Sequence, residues 1–178
     1  VSVDYRKVEI NEIDRELFRN FRRRQAVTDC WRKEKGEWVI RNCPFIDEWS
    51  EEDYLVLVKC LRETVEAGGI MFGAFLDGEL KGFAAVECTP MGSRGQYLDL
   101  PSLHVSEDMR GRGAGKELFR LAAAWAKEHG ARSLYISGHS AVETQAFYKA
   151  MSCVEAEEYS REHVEMEPFD CQLEFILE

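Results

Sequence analysis

The sequence predicts a mixed α/β fold in which a mostly antiparallel central sheet carries helices on both faces. Strand-like and helix-like segments follow one another in the order β, α, α, three antiparallel strands, α, β, α, β, β. Asp77-Gly78 separates two apolar segments and is a strong hairpin signal. A glycine-rich stretch, Arg110–Gly115, joins a strand pattern directly to a helical pattern. Because 178 residues can form one substantial core, a single domain over residues 1–178 is expected.

In the first 49 residues, the sequence pattern indicates definite secondary structure up to Phe21 and is ambiguous from Ala26 onward. We predict a strand over Tyr5–Ile10 and a helix over Ile13–Phe21, in which apolar residues recur every four positions. The following segment, Ala26–Trp49, has weak periodicity and is predicted to be irregular. It carries four large aromatic residues: Trp31, Trp38, Phe45 and Trp49. Two interpretations stay open, a loop that floors or covers a binding site and a set of rings that fills the core beneath a loop.

The middle of the chain has clearer boundaries. Ser50–Asp53 fits a capping box and opens a helix that ends at Gly68-Gly69. Ile70–Leu76 and Leu80–Cys88 are predicted to be the two strands of the Asp77-Gly78 hairpin.

The next strand, Gln96–Val105, contains a proline. Pro101 cannot donate a ladder hydrogen bond, so a bulge or a splayed edge is expected there. A helix over Gly113–Glu128 and a strand over Arg132–Ser137 follow.

The last part of the chain is predicted to contain one helix and two strands. Ser140–Glu143 fits a second capping box, whose helix runs to about Met151. Cys153–Tyr159 and Cys171–Leu177 are strand-like. The acidic stretch Glu155–Glu167 is either a solvated edge or a lining for a polyamine or peptide site.

The glycine-rich turn indicates an anion site, because the amides of a helix N-terminus donate hydrogen bonds and its dipole favours negative charge. Arg110, Arg112 and Lys116 add positive charge. A P-loop is excluded, since Arg110 replaces its first glycine and Glu117 replaces the hydroxyl that holds magnesium. A dinucleotide fingerprint is excluded because Lys116 occupies its third glycine position. A turn that only ends one element and starts the next stays an alternative.

Arg110-Gly111-Arg112-Gly113-Ala114-Gly115 resembles the R-x-x-G-x-G turn of the GNAT family of acyl-CoA-dependent N-acyltransferases. Leu103-His104-Val105 resembles the strand end that precedes this turn, and Phe147-Tyr148 resembles the aromatic pair of a later helix. The resemblance covers roughly residues 70–159 and departs from the family at Ser152-Cys153. It implies a sheet whose strands part near its centre and a turn that holds the coenzyme A pyrophosphate. The residues implied to contact acetyl-CoA are Leu103, His104, Val105, Arg110, Gly111, Arg112, Gly113, Ala114, Gly115 and Lys116.

Acyl transfer from a thioester to an amine needs a polarised carbonyl, a deprotonated amine and a proton for the leaving thiolate. The resemblance implies the backbone amide near Val105 for the first task and Tyr148 as general acid. Asp99, Glu87 and His104 are alternative bases, although strand alternation turns His104 away from its neighbours. Ordered water without a dedicated base is a further alternative.

Composition narrows the function classes. The net charge of −10 disfavours nucleic acid and is compatible with a cationic amine substrate. No apolar run approaches the ~20 residues of a membrane span, and the six cysteines form no C-x-x-C pair, so neither a membrane protein nor a metal site is expected. We expect a cytoplasmic N-acetyltransferase that uses acetyl-CoA as co-substrate and a small-molecule amine as acceptor. A protein or peptide acceptor, a non-catalytic acyl-CoA-binding module and a homodimer remain open.

Overall fold

Ten strands and four α-helices are formed by residues 2–178, the part of the chain that the computed structural model describes. The strands are β1 Asp4–Lys7, β2 Arg24–Glu34, β3 Glu37–Glu48, β4 Ile70–Leu76, β5 Glu79–Val86, β6 Tyr97–Asp99, β7 Ser102–Val105, β8 Ser133–Gly138, β9 Val154–Glu155 and β10 Cys171–Ile176. The helices are α1 Glu51–Glu66, α2 Ala114–Glu128, α3 Val142–Ala150 and α4 Arg161–Met166.

The strands form two four-stranded sheets and one separate hairpin. The first sheet has the order β1-β4-β5-β7 and is antiparallel throughout. The second has the order β6-β8-β10-β9, with β6 parallel to β8 and the other pairs antiparallel. The predicted mixed, mostly antiparallel α/β class is therefore confirmed, with the central sheet divided in two.

The division lies at Pro101, where the predicted bulge or splayed edge is confirmed. The strand expected over Gln96–Val105 breaks into β6 and β7, which pair with different neighbours. The two sheets meet where the Glu87 amide donates to the Asp99 carbonyl at 3.0 Å. The Leu100 amide donates to the Tyr135 carbonyl at 2.8 Å, and beyond this point β7 stays with β5 while β8 turns away. The strands thus part near the centre of the sheet.

Helices cover both faces of the first sheet, as predicted. Phe83 packs on one face with Tyr54 and Leu61 of α1. Its neighbour Ala84 packs on the other face with Leu118 of α2, as the two-residue period of a strand requires.

One predicted capping box is present and the other is wrong. Ser50 caps α1, since its hydroxyl accepts from the Asp53 amide at 3.1 Å and the Asp53 carboxylate accepts from the Ser50 amide at 2.8 Å. The N-cap of α3 is Ala141, which has no capping side chain. The Ser140 hydroxyl instead accepts a 2.8 Å hydrogen bond from Arg32. Arg32, which is distant in sequence, therefore binds the hydroxyl that the sequence pattern predicted to cap the helix.

Two expectations for the first 49 residues are also wrong. The segment Ile13–Phe21 forms no α-helix; the chain makes two short 3-10 turns at Ile10–Glu12 and Glu16–Phe18. The segment expected to be irregular is the long hairpin of β2 and β3, which turns at Lys35-Gly36 with positive φ at both residues. This is the backbone that a tight hairpin turn favours.

The C-terminal strands are shorter than expected, and α4 interrupts the acidic stretch. The strand expected over Cys153–Tyr159 is limited to β9. The sequence prediction did not include α4, which follows Ser160.

Candidate active site

A cleft of about 780 Å³ opens where β7 and β8 part. It joins four elements: the end of β7, the glycine-rich turn, the end of β8 and the inner face of α3. The residues from the predicted site that line it are Leu103, His104, Val105, Arg110, Gly111, Gly113, Ala114, Gly115, Lys116 and Tyr148. Of the residues implied to contact the coenzyme, Arg112 does not line the cleft wall.

The glycines of the turn have two different roles. Gly111 and Gly113 both have φ of 81°, a left-handed backbone that other residues rarely adopt. Gly113 is the N-cap of α2 and offers no side chain, which leaves the first amides of the helix open toward the cleft. At Gly115 an added Cβ would lie 3.2 Å from the Phe147 ring, so this glycine lets α2 and α3 approach each other.

Positive charge collects around the turn without carboxylate partners. Within residues 2–178, Arg110, Arg112 and Lys116 form no ion pair, although 15 pairs occur elsewhere. Burial and the charge of Arg23 lower the pKa of Arg110, because a second cation opposes its charged form. Open helix amides beside unpaired cations fit the diphosphate of coenzyme A.

The backbone of β7 supplies further donors. The Ser106 amide donates to the Lys81 carbonyl at 2.8 Å, and such bonds alternate along an antiparallel ladder. The amides of Leu103 and Val105 therefore point away from β5. They face the cleft side of β7, where no strand among residues 2–178 pairs with them.

Tyr148 lies on α3 with its ring at the end of β8. A Cβ built on Gly138 would contact the Tyr148 ring at 3.2 Å, so the absence of a side chain at Gly138 leaves room for this ring. The side chain is 7% exposed, and burial raises the pKa of Tyr148 above its usual value. The phenol therefore keeps its proton at neutral pH and can donate it.

His104 is not suited to act as a base. It faces the α1 side of the sheet, where its ring lies 4.8 Å from that of Trp49 and 5.5 Å from that of Phe83. Burial, with the charges of Arg23 and Arg110, lowers the pKa of His104 to about 3. The imidazole is therefore neutral at physiological pH and has little affinity for a proton.

Asp99 immediately precedes Leu100, which lines the cleft. One oxygen of this buried carboxylate, Oδ2, lies 2.9 Å from Nε2 of His163, a residue of α4. The other, Oδ1, has no hydrogen-bond partner in residues 2–178. The hydrogen bond with Asp99 raises the pKa of His163, which makes the pair able to share a proton.

Glu87 is separated from the cleft even though its backbone touches that of Asp99. Its carboxylate accepts a 2.5 Å hydrogen bond from the Thr64 hydroxyl of α1. The structure therefore brings Tyr148 and all but Arg112 of the residues implied to contact the coenzyme together around one cleft, places Asp99 next to it and leaves Glu87 outside.

Two residues near the cleft carry no sequence motif. Arg23 is 8% exposed, lines the cleft and donates to Asp47 at 3.0 Å, yet it stands in the basic run Arg22–Arg24 that looks solvated. His163 stands alone in an acidic stretch. Its only local signal is the histidine itself, since its partner lies 64 positions earlier.

The aromatic residues of Ala26–Trp49 do not behave as one group: as a set they neither line a binding site nor fill the core. Trp49 packs against the α1 core cluster, whereas Trp38 and Phe45 are each 37% exposed. Of the segment Ala26–Trp49 only Ala26 lines the cleft, next to Gln25.

Two further properties of residues 2–178 bear on the site. No helix in this range is long and apolar enough to cross a bilayer. No group of three or more histidine, cysteine or acidic side chains in the same range is placed to hold a metal ion.

Comparison with known proteins gives both local and whole-chain similarity. A 60-residue stretch is 40% identical to the streptothricin acetyltransferase of Streptomyces lavendulae; it covers 34% of this chain and 30% of that protein. Among solved structures, nourseothricin acetyltransferase matches with a TM-score of 0.72 at 16% identity, covering 100% of both chains. A Bacillus anthracis protein assigned as a streptothricin acetyltransferase, in complex with acetyl coenzyme A, matches with a TM-score of 0.72 at 17% identity. That match covers 98% of this chain and 96% of the other.

These structural likenesses concern the fold, and the sequence adds the family. The model of the acetyltransferase (GNAT) family matches residues 18–152, a range that contains the turn, β7 and the Phe147-Tyr148 pair. This confirms the resemblance seen in the sequence: the chain belongs to the acetyltransferase (GNAT) family.

Proposed function

We propose that the protein transfers the acetyl group of acetyl-CoA to a primary amine of a small molecule. The observation that carries this proposal is the cleft, which joins an unpaired cationic turn, the free amides of β7 and the protonated Tyr148 in one space. Bound acetyl-CoA would supply an acetyl group activated as a thioester.

The binding roles follow from the donors on each side. The turn from Arg110 to Lys116 holds the diphosphate through open helix amides and cationic side chains. The amides of Leu103 and Val105 hold the pantetheine arm and polarise the thioester carbonyl, where negative charge develops during the reaction. Fixing the donor in this way also supplies the proximity on which amine attack depends.

Two residues move protons in the proposed reaction. The amine nitrogen forms the new C–N bond while the C–S bond breaks, and the Tyr148 phenol gives its proton to the departing sulfur. The acceptor ammonium loses two protons. The first passes to the Asp99–His163 pair and frees the nitrogen lone pair, and the second, released as the amide forms, restores the Tyr148 phenol. We favour Asp99 over Glu87 as the base, because Asp99 adjoins the cleft and has an oxygen without a partner.

A small-molecule acceptor is supported by the names of the relatives, two of which refer to streptothricin and one to nourseothricin. Thiol release from acetyl-CoA should therefore be measured with a panel of amines that includes streptothricin, with a lysine-containing peptide as competitor class. Turnover of the peptide alone would contradict the small-molecule assignment. Absence of turnover with every amine, despite coenzyme binding, would favour a non-catalytic acyl-CoA-binding module.

Tyr148→Phe tests the chemical role directly. Removing the hydroxyl should lower kcat at least tenfold while leaving acetyl-CoA affinity within about twofold, since general acid catalysis contributes roughly 10²–10⁴-fold. Steady-state rates and calorimetric coenzyme binding measure the two effects. Tyr5→Phe, which removes a hydroxyl outside the cleft, is the matched control. Equal kcat values for the native protein and the Tyr148→Phe variant would remove Tyr148 from the mechanism.

A further inference from the structure

A second cavity of about 300 Å³ lies beneath α4, on the sheet face that carries Asp99. Its floor is formed by Tyr97 and Tyr135, whose rings meet edge to face at 5.2 Å. His163 forms one wall, with its ring 5.3 Å from that of Tyr135. Tyr159 stands at the rim and is 43% exposed. Aromatic rings on several sides of a small cavity are suited to an organic cation.

The cavity adjoins the proposed reaction centre. Tyr135, in the cavity floor, and Ser137, in the cleft wall, are two residues apart on β8, a separation of about 7 Å. Across from them on β6, Asp99 pairs with Tyr135 in the register of the sheet. Asp99 and its partner His163 therefore stand between the two spaces, and a molecule in the cavity can present one end to the proton-accepting pair.

Several carboxylates on and near the cavity have no basic ion-pair partner among the described residues. Within residues 2–178, Asp99, Glu158, Glu162 and Glu174 form no ion pair with a lysine or arginine. Hydrogen bonds from Gln96 and Ser93 lower the pKa of Glu158, which keeps this rim group ionised.

Basic side chains also approach the rim. The Lys33 ammonium pairs with Glu155 at 3.5 Å and stands 5.9 Å from the centre of the Tyr159 ring, and the charge of Arg94 acts on Glu158. Arg161 lines the cavity but directs its guanidinium to Glu165 at 3.0 Å. His163 is the one basic side chain that pairs with Asp99 among the described residues. The cavity thus has room for a ligand, and the Glu162 carboxylate on its wall has no basic ion-pair partner among the described residues.

We propose that this cavity is the acceptor site and that it selects acceptors with two ammonium groups. The proposal rests on the proposed acetyltransferase function and specifies its substrate class. One amine reaches the Asp99–His163 pair and reacts, and the second ammonium stays at the rim, held by the Glu162 and Glu158 carboxylates. Two-point binding fixes the direction in which the acceptor enters, so a monoamine of equal length loses both affinity and orientation.

The experiment compares 1,6-diaminohexane with hexylamine, which differ by one terminal ammonium. In the native protein kcat/KM should be at least tenfold higher for the diamine, and in Glu162→Gln the ratio should fall toward one. Glu167→Gln is the matched control, because Glu167 is an exposed carboxylate of the same acidic stretch that does not line the cavity. This control should retain the native ratio. Equal kcat/KM values for the two amines in the native protein, or an unchanged ratio in Glu162→Gln, would overturn the proposal.

Direct binding separates this proposal from the proposed function. Calorimetric titration of 1,6-diaminohexane without acetyl-CoA should show binding in the native protein and Glu167→Gln, and at least tenfold weaker binding in Glu162→Gln. Diamine binding that Glu162→Gln weakens, together with no turnover of any amine in the panel, would sustain the cavity assignment and refute the acetyltransferase function. Turnover without any preference for the diamine would sustain the function and refute the cavity assignment.

Discussion

Gly113 shows how one residue serves both the backbone and the ligand. Its φ of 81° disfavours any branched side chain, and a Cβ added there would meet no protein atom within 4 Å. The space in front of it therefore belongs to the cleft and, in the proposed function, to the diphosphate. The sequence predicted a special role for this position through the R-x-x-G-x-G spacing, because the backbone conformation of such a turn depends on neighbouring residues.

The variant Gly113→Val should lose coenzyme affinity at least tenfold, because its branched side chain occupies the proposed diphosphate position. Left-handed backbone at a β-branched residue should also cost about 1–3 kcal/mol of stability. Gly36→Val is the matched control, since Gly36 has φ of 79°, also faces open space and lies in the turn between β2 and β3. Calorimetric coenzyme titration and thermal unfolding should show similar destabilisation in both variants and loss of binding in Gly113→Val alone. Full coenzyme affinity in that variant would contradict diphosphate binding at the turn from Arg110 to Lys116.

The buried His104 is expected to lower the stability of the folded protein as the pH becomes acidic. Burial lowers its pKa to about 3 in the folded chain, whereas an unfolded histidine titrates near 6.5. Between these values the unfolded state binds the extra proton, so stability contributed by neutral His104 is present above pH 6.5 and is lost as the pH falls toward 3. His104→Phe should therefore show a smaller fall in Tm between pH 7 and pH 4 than the native protein. An exposed histidine changed in the same way, His129→Phe, should keep the native fall; identical Tm profiles for native and His104→Phe would disprove the effect.

At the scale of elements, a sequence pattern predicted the structure correctly where the residues that interact are close together in the sequence. The Ser50 box is closed by a residue three positions away and was predictable from sequence. The Ser140 box failed because Arg32, 108 positions earlier, binds the hydroxyl. The β2–β3 hairpin was missed because much of it is only partly buried, so its residues lack a clear inside–outside alternation.

The cap of α1 provides a test at this scale. Ser50→Ala removes the acceptor of the Asp53 amide and should destabilise the protein by about 1 kcal/mol. Ser50→Asp keeps an oxygen in place and should recover most of the loss. Urea unfolding of the three proteins measures the difference, and equal midpoints for Ser50→Ala and the native chain would show that the cap contributes nothing.

For the whole molecule, the sequence predicted the fold class and most of the residues that line the cleft, but left the acceptor side open. The cleft is built from segments that are short and close in sequence, from Leu103 to Lys116, together with the Phe147-Tyr148 pair. The cavity under α4 depends instead on tertiary pairing, above all that of Asp99 with His163. Periodicity could not indicate it, because α4 is only six residues long and lies in a charged stretch.

The interruption at Pro101 has a thermodynamic consequence. The gap that it opens separates two hydrogen-bonded layers, and a molecule seated there touches both of them. Its binding energy therefore adds to the cohesion of the folded state, by about 2.7 kcal/mol when its free concentration is a hundred times its dissociation constant. A ligand in this gap therefore contacts both four-stranded sheets and raises the free energy of unfolding where the strands themselves form no hydrogen bonds with each other.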